Sequence, residues 1–97
     1  MTAARALLAA RAAVENRRFF VIDHADGRGD LRHITLHDMK YVIKTATNCV
    51  PYPEGVPKNG GTCWRISGKD LDGEETTVGI EVVRDHLGNC AYVVTVF

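Results

Sequence analysis

Apolar residues follow helical spacing at the start of the chain. Residues 2–16 are rich in alanine, the strongest helix former, and Leu7, Leu8 and Val14 give the segment one apolar face. Arg11 and Glu15 are spaced as an i,i+4 pair on the exposed side. The pattern predicts an N-terminal helix from about Thr2 to Asn16.

The next segment, Arg18–Asp23, is aromatic and β-branched, which favours a short strand. A continued helix of the same length is the alternative. Residues 24–33 are polar and contain Gly27 and Gly29, so they are predicted to form a loop or a ragged helical turn.

A second helix is predicted after this loop. Thr35 is placed as its N-cap and Asp38 is the third helical residue, a variant of the capping box. Ile34 and Met39 have the spacing of a hydrophobic staple. The apolar residues that follow keep helical spacing until about Thr47, where the helix is expected to end.

Residues 48–61 contain Pro51, Pro53 and Pro57 and end in Asn-Gly-Gly. So many prolines and glycines exclude regular structure, and the segment is predicted to be a loop. Loops of this length in a compact domain are usually functional or disordered.

The remainder of the chain has strand spacing. Apolar residues alternate along Thr62–Ser67 and Thr76–Arg84, whereas Cys90–Phe97 is apolar on both faces, which is typical of a central strand. Turn residues separate these strands at 69–73 and 85–89. The predicted fold is therefore α+β, with a helix, a short strand, a second helix and a three-stranded antiparallel meander. The helices are expected to pack on one face of a curled sheet.

Composition changes this picture little. The chain has 97 residues, the size of one domain, so residues 1–97 are expected to form a single domain. Its formal net charge is zero, so any nucleic-acid binding requires a local basic patch. No apolar run is long enough to span a membrane. The odd count of three cysteines favours reduced thiols in a cytoplasmic protein.

Two short patterns resemble metal sites. Residues 70–75 look like part of a calcium loop, but Glu75 stands where that loop requires glycine. His33 and His37 have a zinc-ligand spacing, but the helix begins between them at Thr35. The sequence therefore predicts no metal site, and it indicates no cofactor.

A local basic cluster is the strongest candidate for chemistry. It is formed by four residues of the loop and two of the second helix: His24, Arg28, Arg32, His33, Lys40 and Lys44. Such a cluster can hold phosphates. The alternative is a solvated loop whose arginines pair with neighbouring aspartates, and this alternative is favoured by how often surface charges are merely solvated.

Trp64 and Arg65 open the first strand of the meander and point to opposite faces. Trp64 is expected to be a core residue rather than a platform for stacking bases. Arg65 is expected on the other face, where Glu81 is a candidate for a cross-strand ion pair if that face is uncovered.

The loop and helix cap carry a resemblance to a known family. Residues 24–38 read His24-Ala-x-x-Arg28-x-x-x-Arg32-x-Ile34-Thr35-x-x-Asp38. This run resembles a signature of small bacterial domains allied to RelE- and MqsR-type toxins, with one His and two Arg before an Ile-Ser/Thr helix cap. Four later segments follow in the same order as in those domains: Trp64–Gly68, Asp72-Gly73, Val78–Val83 and Val93–Phe97.

The resemblance implies a RelE/MqsR-like fold, RNA as the substrate and a cognate antitoxin as a partner. Toxins of this superfamily are endoribonucleases in which the ribose 2′-hydroxyl attacks the phosphate. The reaction needs a base, an acid and a cation for the phosphate charge. In this chain the resemblance implies His24 or His33 as base or acid, with Arg28, Arg32 and Arg65 holding the phosphate.

The chain also departs from the toxins. MqsR-like toxins use Lys, Gln and Tyr from the loop and sheet, whereas Thr77 and Gly79 stand here where a catalytic Tyr is expected. Whether the protein is an enzyme therefore stays open. The alternative is a non-catalytic module that binds a protein partner or forms a homodimer through a sheet edge or the proline-rich loop.

Overall fold

The computed structural model describes residues 1–21 and 34–97, which form an α+β fold around one mixed sheet. The elements in chain order are α1 (Ala3–Glu15), β1 (Phe19–Val21), α2 (Leu36–Thr45), β2 (Asn48–Pro51), β3 (Thr62–Lys69), β4 (Glu75–Asp85) and β5 (Gly88–Val96). The strand order is β1-β5-β4-β3-β2. β1 runs parallel to β5, and the other neighbours are antiparallel. The predicted α+β class is confirmed, and β5 is a central strand as its apolar pattern indicated.

Helix α1 begins where the sequence predicts, with the Thr2 hydroxyl accepting from the Arg5 amide at 3.2 Å. Its predicted apolar face is wrong in part, because Leu8 is 63% exposed. The buried face is made instead of small side chains, namely Ala6, Ala9, Ala10 and Ala13. Because alanine side chains are small, they let the helix axis approach the sheet closely, although each one buries little area.

Arg11 joins the two helices rather than pairing with Glu15. Its guanidinium donates to the backbone carbonyls of Ile43 at 3.1 Å and Ala46 at 2.6 Å, at the end of α2. The last carbonyls of a helix have no partner inside the helix and carry partial negative charge. The Arg11 guanidinium supplies both hydrogen-bond donors and positive charge to these carbonyls, which explains why this half-buried side chain lies against α2.

Helix α2 has the predicted capping box. The Asp38 amide donates to the Thr35 hydroxyl at 3.1 Å, and the Asp38 carboxylate accepts from the Thr35 amide at 3.0 Å. The other carboxylate oxygen of Asp38 accepts from the Leu71 amide at 2.9 Å. Asp38 is therefore both the cap of α2 and the link between this helix and the turn after β3.

The prediction that residues 48–61 form a loop is wrong for its first four residues. β2 pairs antiparallel with β3, with Val50 opposite Arg65 and Pro51 opposite Trp64. A proline is tolerated here because β2 is an edge strand, where the missing N–H removes no ladder hydrogen bond if it faces outward. The sheet thus has five strands rather than a short strand and a three-stranded meander.

Both helices cover the same face of the sheet. The buried cluster joins residues of the two helices to alternate residues of the strands, among them Trp64, Ile66, Val78, Ile80 and Val93. Because successive strand residues point to opposite faces, Cys63, Arg65 and Glu81 lie on the other side. We call that side the outer face of the sheet. Among the described residues, no helix is long and apolar enough to cross a membrane.

The two hairpin turns are held by aspartates. In the turn between β3 and β4, Asp70 accepts from the amides of Asp72 and Glu74, both at 2.9 Å. At the end of β4, Asp85 receives two hydrogen bonds from the Arg18 guanidinium, at 2.8 and 2.6 Å. The second contact ties the β4–β5 hairpin to the chain just before β1.

Candidate nucleic-acid interface

Of the five residues to which the resemblance assigns a role in catalysis or phosphate binding, the structure describes one. His24, Arg28, Arg32 and His33 lie outside the described residues, so their predicted roles stay predictions. Arg65 is described, and it lies on the outer face of the sheet, where it contacts two aromatic rings.

We call Tyr52, Arg65 and Phe97 the aromatic–arginine cluster. The Arg65 guanidinium carbon is 4.4 Å from the centroid of the Phe97 ring and 5.0 Å from that of Tyr52. The two rings meet edge to face, with centroids 5.3 Å apart and planes 82° apart. A guanidinium that stacks on rings keeps its N–H donors at its rim, so it can bind a carboxylate or phosphate at the same time.

Backbone pairing brings these three residues together from distant parts of the chain. The Tyr52 amide donates to the Cys63 carbonyl at 3.0 Å, and the Phe97 amide donates to the Thr77 carbonyl at 2.9 Å. Both bonds extend the sheet by one residue beyond its strands. They place one ring on either side of the strand that carries Arg65.

Gly79 makes room for the cluster. It is the partner of Arg65 across β3 and β4. A Cβ atom at Gly79 would lie 2.8 Å from Thr95 Cγ2 and 3.3 Å from ring atoms of both Phe97 and Tyr52. Any larger residue at this position would therefore separate the rings. The packing of the cluster therefore favours glycine at position 79.

The predicted ion pair between Arg65 and Glu81 is wrong. The strand register places Cys63, not Arg65, opposite Glu81. The acidic neighbour of Arg65 is Glu54, with a nitrogen–oxygen distance of 3.8 Å and side chains that are 41% and 69% exposed. An exposed pair at this distance is weak, so the guanidinium remains available to a stronger anion.

Glu81 holds the loop after β2 onto the outer face. Its side chain is fully buried, and its carboxylate accepts from the amides of Lys58 at 3.0 Å, Asn59 at 2.9 Å and Gly61 at 2.8 Å. The Asn59 side-chain amide adds a fourth donor at 3.1 Å. Burial raises the pKa of Glu81, but the hydrogen bonds from Gly61, Asn59 and Lys58 outweigh it, so the pKa lies below its usual value.

A second aromatic pair lies at the other end of the outer face. Phe20 and Tyr92 are neighbours across β1 and β5, with ring centroids 5.6 Å apart and planes tilted by 31°. Phe20 is 45% exposed, unusually high for a phenylalanine in a strand. Tyr92 is the partner of Glu81 across β4 and β5, which places this pair on the same face as Arg65.

The sequence did not identify Tyr52, Phe97 or Phe20 as site residues. The available signal was weak, because each is a single aromatic residue on an edge strand or just after the end of a strand. Trp64 was correctly predicted as a core residue. It is 6% exposed, and its indole N–H donates to the Thr62 hydroxyl at 2.9 Å.

Lys40 and Lys44 do not join Arg65. Both lie on α2, which packs on the covered face of the sheet, whereas Arg65 is on the outer face. They are the two described members of the predicted basic cluster, and its other four members lie outside the described residues, so the cluster stays a prediction. Its two lysines accompany His37 and Tyr41 along a shallow groove of the helix layer.

The chemistry this face offers is stacking and anion binding. Within the described ranges there is no group of three or more His, Cys, Asp or Glu residues placed to hold a metal. Asp70, the first residue of the calcium-like run, uses its carboxylate to accept from backbone amides of its own turn.

A scan against family models, a search of curated proteins and a search of solved structures found no match to the chain.

Proposed function

We propose that this domain binds single-stranded RNA on the outer face of its sheet, as a protein of the toxin-like class its sequence resembles. The observation that supports this most directly is the position of Arg65. Its guanidinium stacks on Phe97 and Tyr52, on the sheet face that the described helices leave uncovered.

The arrangement suits unpaired nucleotides for a physical reason. Bases without a pairing partner stack on aromatic rings, at about 1–3 kcal/mol per base, while arginine binds the phosphate between them. The outer face offers two places for stacking, the aromatic–arginine cluster and the Phe20–Tyr92 pair. Because the net charge of the chain is zero, binding depends on these local contacts and is expected to weaken with salt.

We further propose that the bound RNA is cleaved by the mechanism the resemblance implies. His24 or His33 would remove the proton of the 2′-hydroxyl or protonate the leaving oxygen, and Arg28 and Arg32 would join Arg65 at the phosphate. Such a nuclease would act in the cytoplasm and would be held inactive by an antitoxin.

Binding is tested by fluorescence anisotropy with a labelled, unstructured RNA at low salt. Arg65→Ala is expected to weaken binding about tenfold, because it removes both the ring contact and a phosphate partner. The affinity of Arg65→Lys should lie between those of Arg65→Ala and the unmodified protein, since lysine keeps the charge but cannot stack flat on the rings. Glu54→Gln should strengthen binding by removing a competing carboxylate.

Arg5→Ala is the matched control, because Arg5 is an exposed arginine on α1, away from the outer face. It should bind as the unmodified protein does. The binding proposal is wrong if the unmodified protein does not bind RNA, or if Arg65→Ala and Arg5→Ala have equal affinities.

Cleavage is tested separately by gel analysis of the same RNA after incubation. The unmodified protein is expected to cut it, and His24→Ala and Arg28→Ala are each expected to slow cutting by about a hundredfold or more, the usual contribution of a positioned acid, base or charge. Absence of cutting, or equal cutting by both variants and the unmodified protein, would remove the nuclease from the proposal and leave RNA binding intact.

A second candidate function is a non-catalytic module that binds a protein. The aromatic–arginine cluster supports it as well, since Tyr, Phe and Arg are enriched at protein interfaces. RNA titration separates the two functions, because only the RNA-binding protein should show affinity that falls steeply with salt.

A further inference from the structure

A second surface, on the helix layer, combines an apolar centre with opposite charges on its two sides. The centre is formed by Tyr41, which is 41% exposed, and Leu71, which is 58% exposed. On one side lie basic residues of α2: His37, Lys40 and Lys44. On the other lie acidic residues of the β3–β4 turn and the start of β4: Asp72, Glu74 and Glu75. We call these residues together the two-sided patch.

The three parts of the two-sided patch are continuous. Tyr41 and Leu71 line one groove together with Lys40 and Lys44. Tyr41 also lines a neighbouring groove with Glu75 and with Lys69, the partner of Glu75 across β3 and β4. A third depression is lined by Glu75, Asp72 and Glu74. The apolar centre therefore adjoins both the basic and the acidic side.

Hydrogen bonds join the two elements that carry the two-sided patch. The Leu71 amide donates to Asp38, whose carboxylate also caps α2, so the turn and the helix are fixed to each other. Asp70 accepts from the amides of Asp72 and Glu74 and fixes the acidic turn from within. A preformed surface loses little conformational entropy on binding.

The charges of the two-sided patch are not paired with each other. Among residues 1–21 and 34–97, the ion pairs are Arg18–Asp85 and Arg65–Glu54. Neither involves a residue of the patch. Opposite charges thus lie on either side of an exposed apolar centre, and within the described part of the chain neither set neutralises the other.

We infer that the two-sided patch binds the same patch on a second copy of the chain, related by a two-fold axis. In such a dimer the basic side of the patch on one copy faces the acidic side of the patch on the other. The apolar centres then meet on the axis, and the lysines of each copy face the carboxylates of its partner. A phosphate backbone fits less well, because the acidic side would repel it.

The test is sedimentation equilibrium over a range of protein and salt concentrations. At low salt the mass is expected to rise to that of a dimer with increasing protein concentration, and high salt should shift the protein back to the monomer. The inference is wrong if the mass stays that of a monomer at every concentration at low salt.

Charge reversal makes the test specific to this surface. Lys40→Glu with Lys44→Glu gives a patch that is acidic on both sides, and Asp72→Lys with Glu75→Lys gives one that is basic on both sides. Each double variant alone is expected to be monomeric because like charges meet. An equimolar mixture should form a heterodimer, which also shows that both variants are folded. No association in the mixture would overturn the inference.

Arg5→Glu with Arg84→Glu is the matched control, because it reverses two exposed charges away from the patch. It should dimerise like the unmodified protein, and a loss of dimer in this control would show a general charge effect and overturn the inference. The RNA-binding test is distinguished from this one by its variant, because Arg65→Ala changes no residue of the two-sided patch.

Discussion

Replacement of Glu81 by Gln is expected to lower the free energy of unfolding by about 3 kcal/mol. The carboxylate is fully buried and accepts from three backbone amides and one side-chain amide. Gln keeps the size of the side chain but points an N–H₂ group at donors of the loop. At least one buried amide would then lose its partner, and charge-assisted bonds would become neutral ones.

Urea unfolding measures this change, and Glu15→Gln is the matched control. Glu15 is an exposed carboxylate at the end of α1, outside the two-sided patch, so its substitution should change the free energy of unfolding by less than about 0.5 kcal/mol. Amide hydrogen exchange should show faster exchange at Lys58, Asn59 and Gly61 in Glu81→Gln. Equal stability of the two variants would mean that the loop is held by other contacts.

The same carboxylate makes stability depend on pH in a defined direction. Hydrogen bonds lower the pKa of Glu81 in the folded protein below that in the unfolded chain, which is near 4.3 for an ordinary glutamate. Its contribution is therefore complete above that ordinary pKa and is lost as the pH falls through the lower folded value. Glu81→Gln should show a shallower loss of stability in this acid range than the unmodified protein.

Local signals in the sequence predicted the helices and the turns well. Thr35 and Asp38 form the predicted capping box because both partners lie within one helical turn. The apolar pattern of the last strand correctly indicated a central position, since a strand flanked on both sides is covered more fully than an edge. Such features depend on residues close together in the chain.

The features that were predicted wrongly depend on contacts between residues far apart in the chain. β2 was missed because three prolines in and after it are typical of a loop. Its extended structure depends instead on its pairing with β3, a distant part of the chain. Arg65 and Glu81 were expected to pair because both point to the outer face, but the register between β3 and β4 separates them. A shift of two residues in register is invisible in the alternation of apolar positions.

The candidate site shows the same limit. The resemblance suggested Arg65, but the rings that its guanidinium contacts, Tyr52 and Phe97, come from the ends of two other strands. Their meeting requires the five-stranded register and the missing side chain of Gly79. The predicted roles of His24, Arg28, Arg32 and His33 are carried by the resemblance and lie outside the described residues.

Replacement of Gly61 by Ala is expected to lower the free energy of unfolding by about 3 kcal/mol, through crowding rather than lost hydrogen bonding. A Cβ atom at this position would overlap the carbonyl oxygen of Val82 and lie 2.8 Å from Val83 Cγ2. The backbone cannot simply move away, because the Gly61 amide donates to Glu81 at 2.8 Å. In Gly61→Ala, the backbone must therefore shift to relieve the overlap, and this shift moves the loop away from the outer face.

Gly60→Ala is the control that separates crowding from backbone strain. Gly60 has a φ of 76°, a conformation that costs an alanine about 1–2 kcal/mol, but a Cβ atom there meets nothing within 4 Å. Urea unfolding should therefore rank Gly61→Ala as the less stable variant, and only Gly61→Ala should speed amide exchange at Lys58 and Asn59. The reverse order would show that the conformation of the loop, rather than its contact with β4, governs how it covers the sheet.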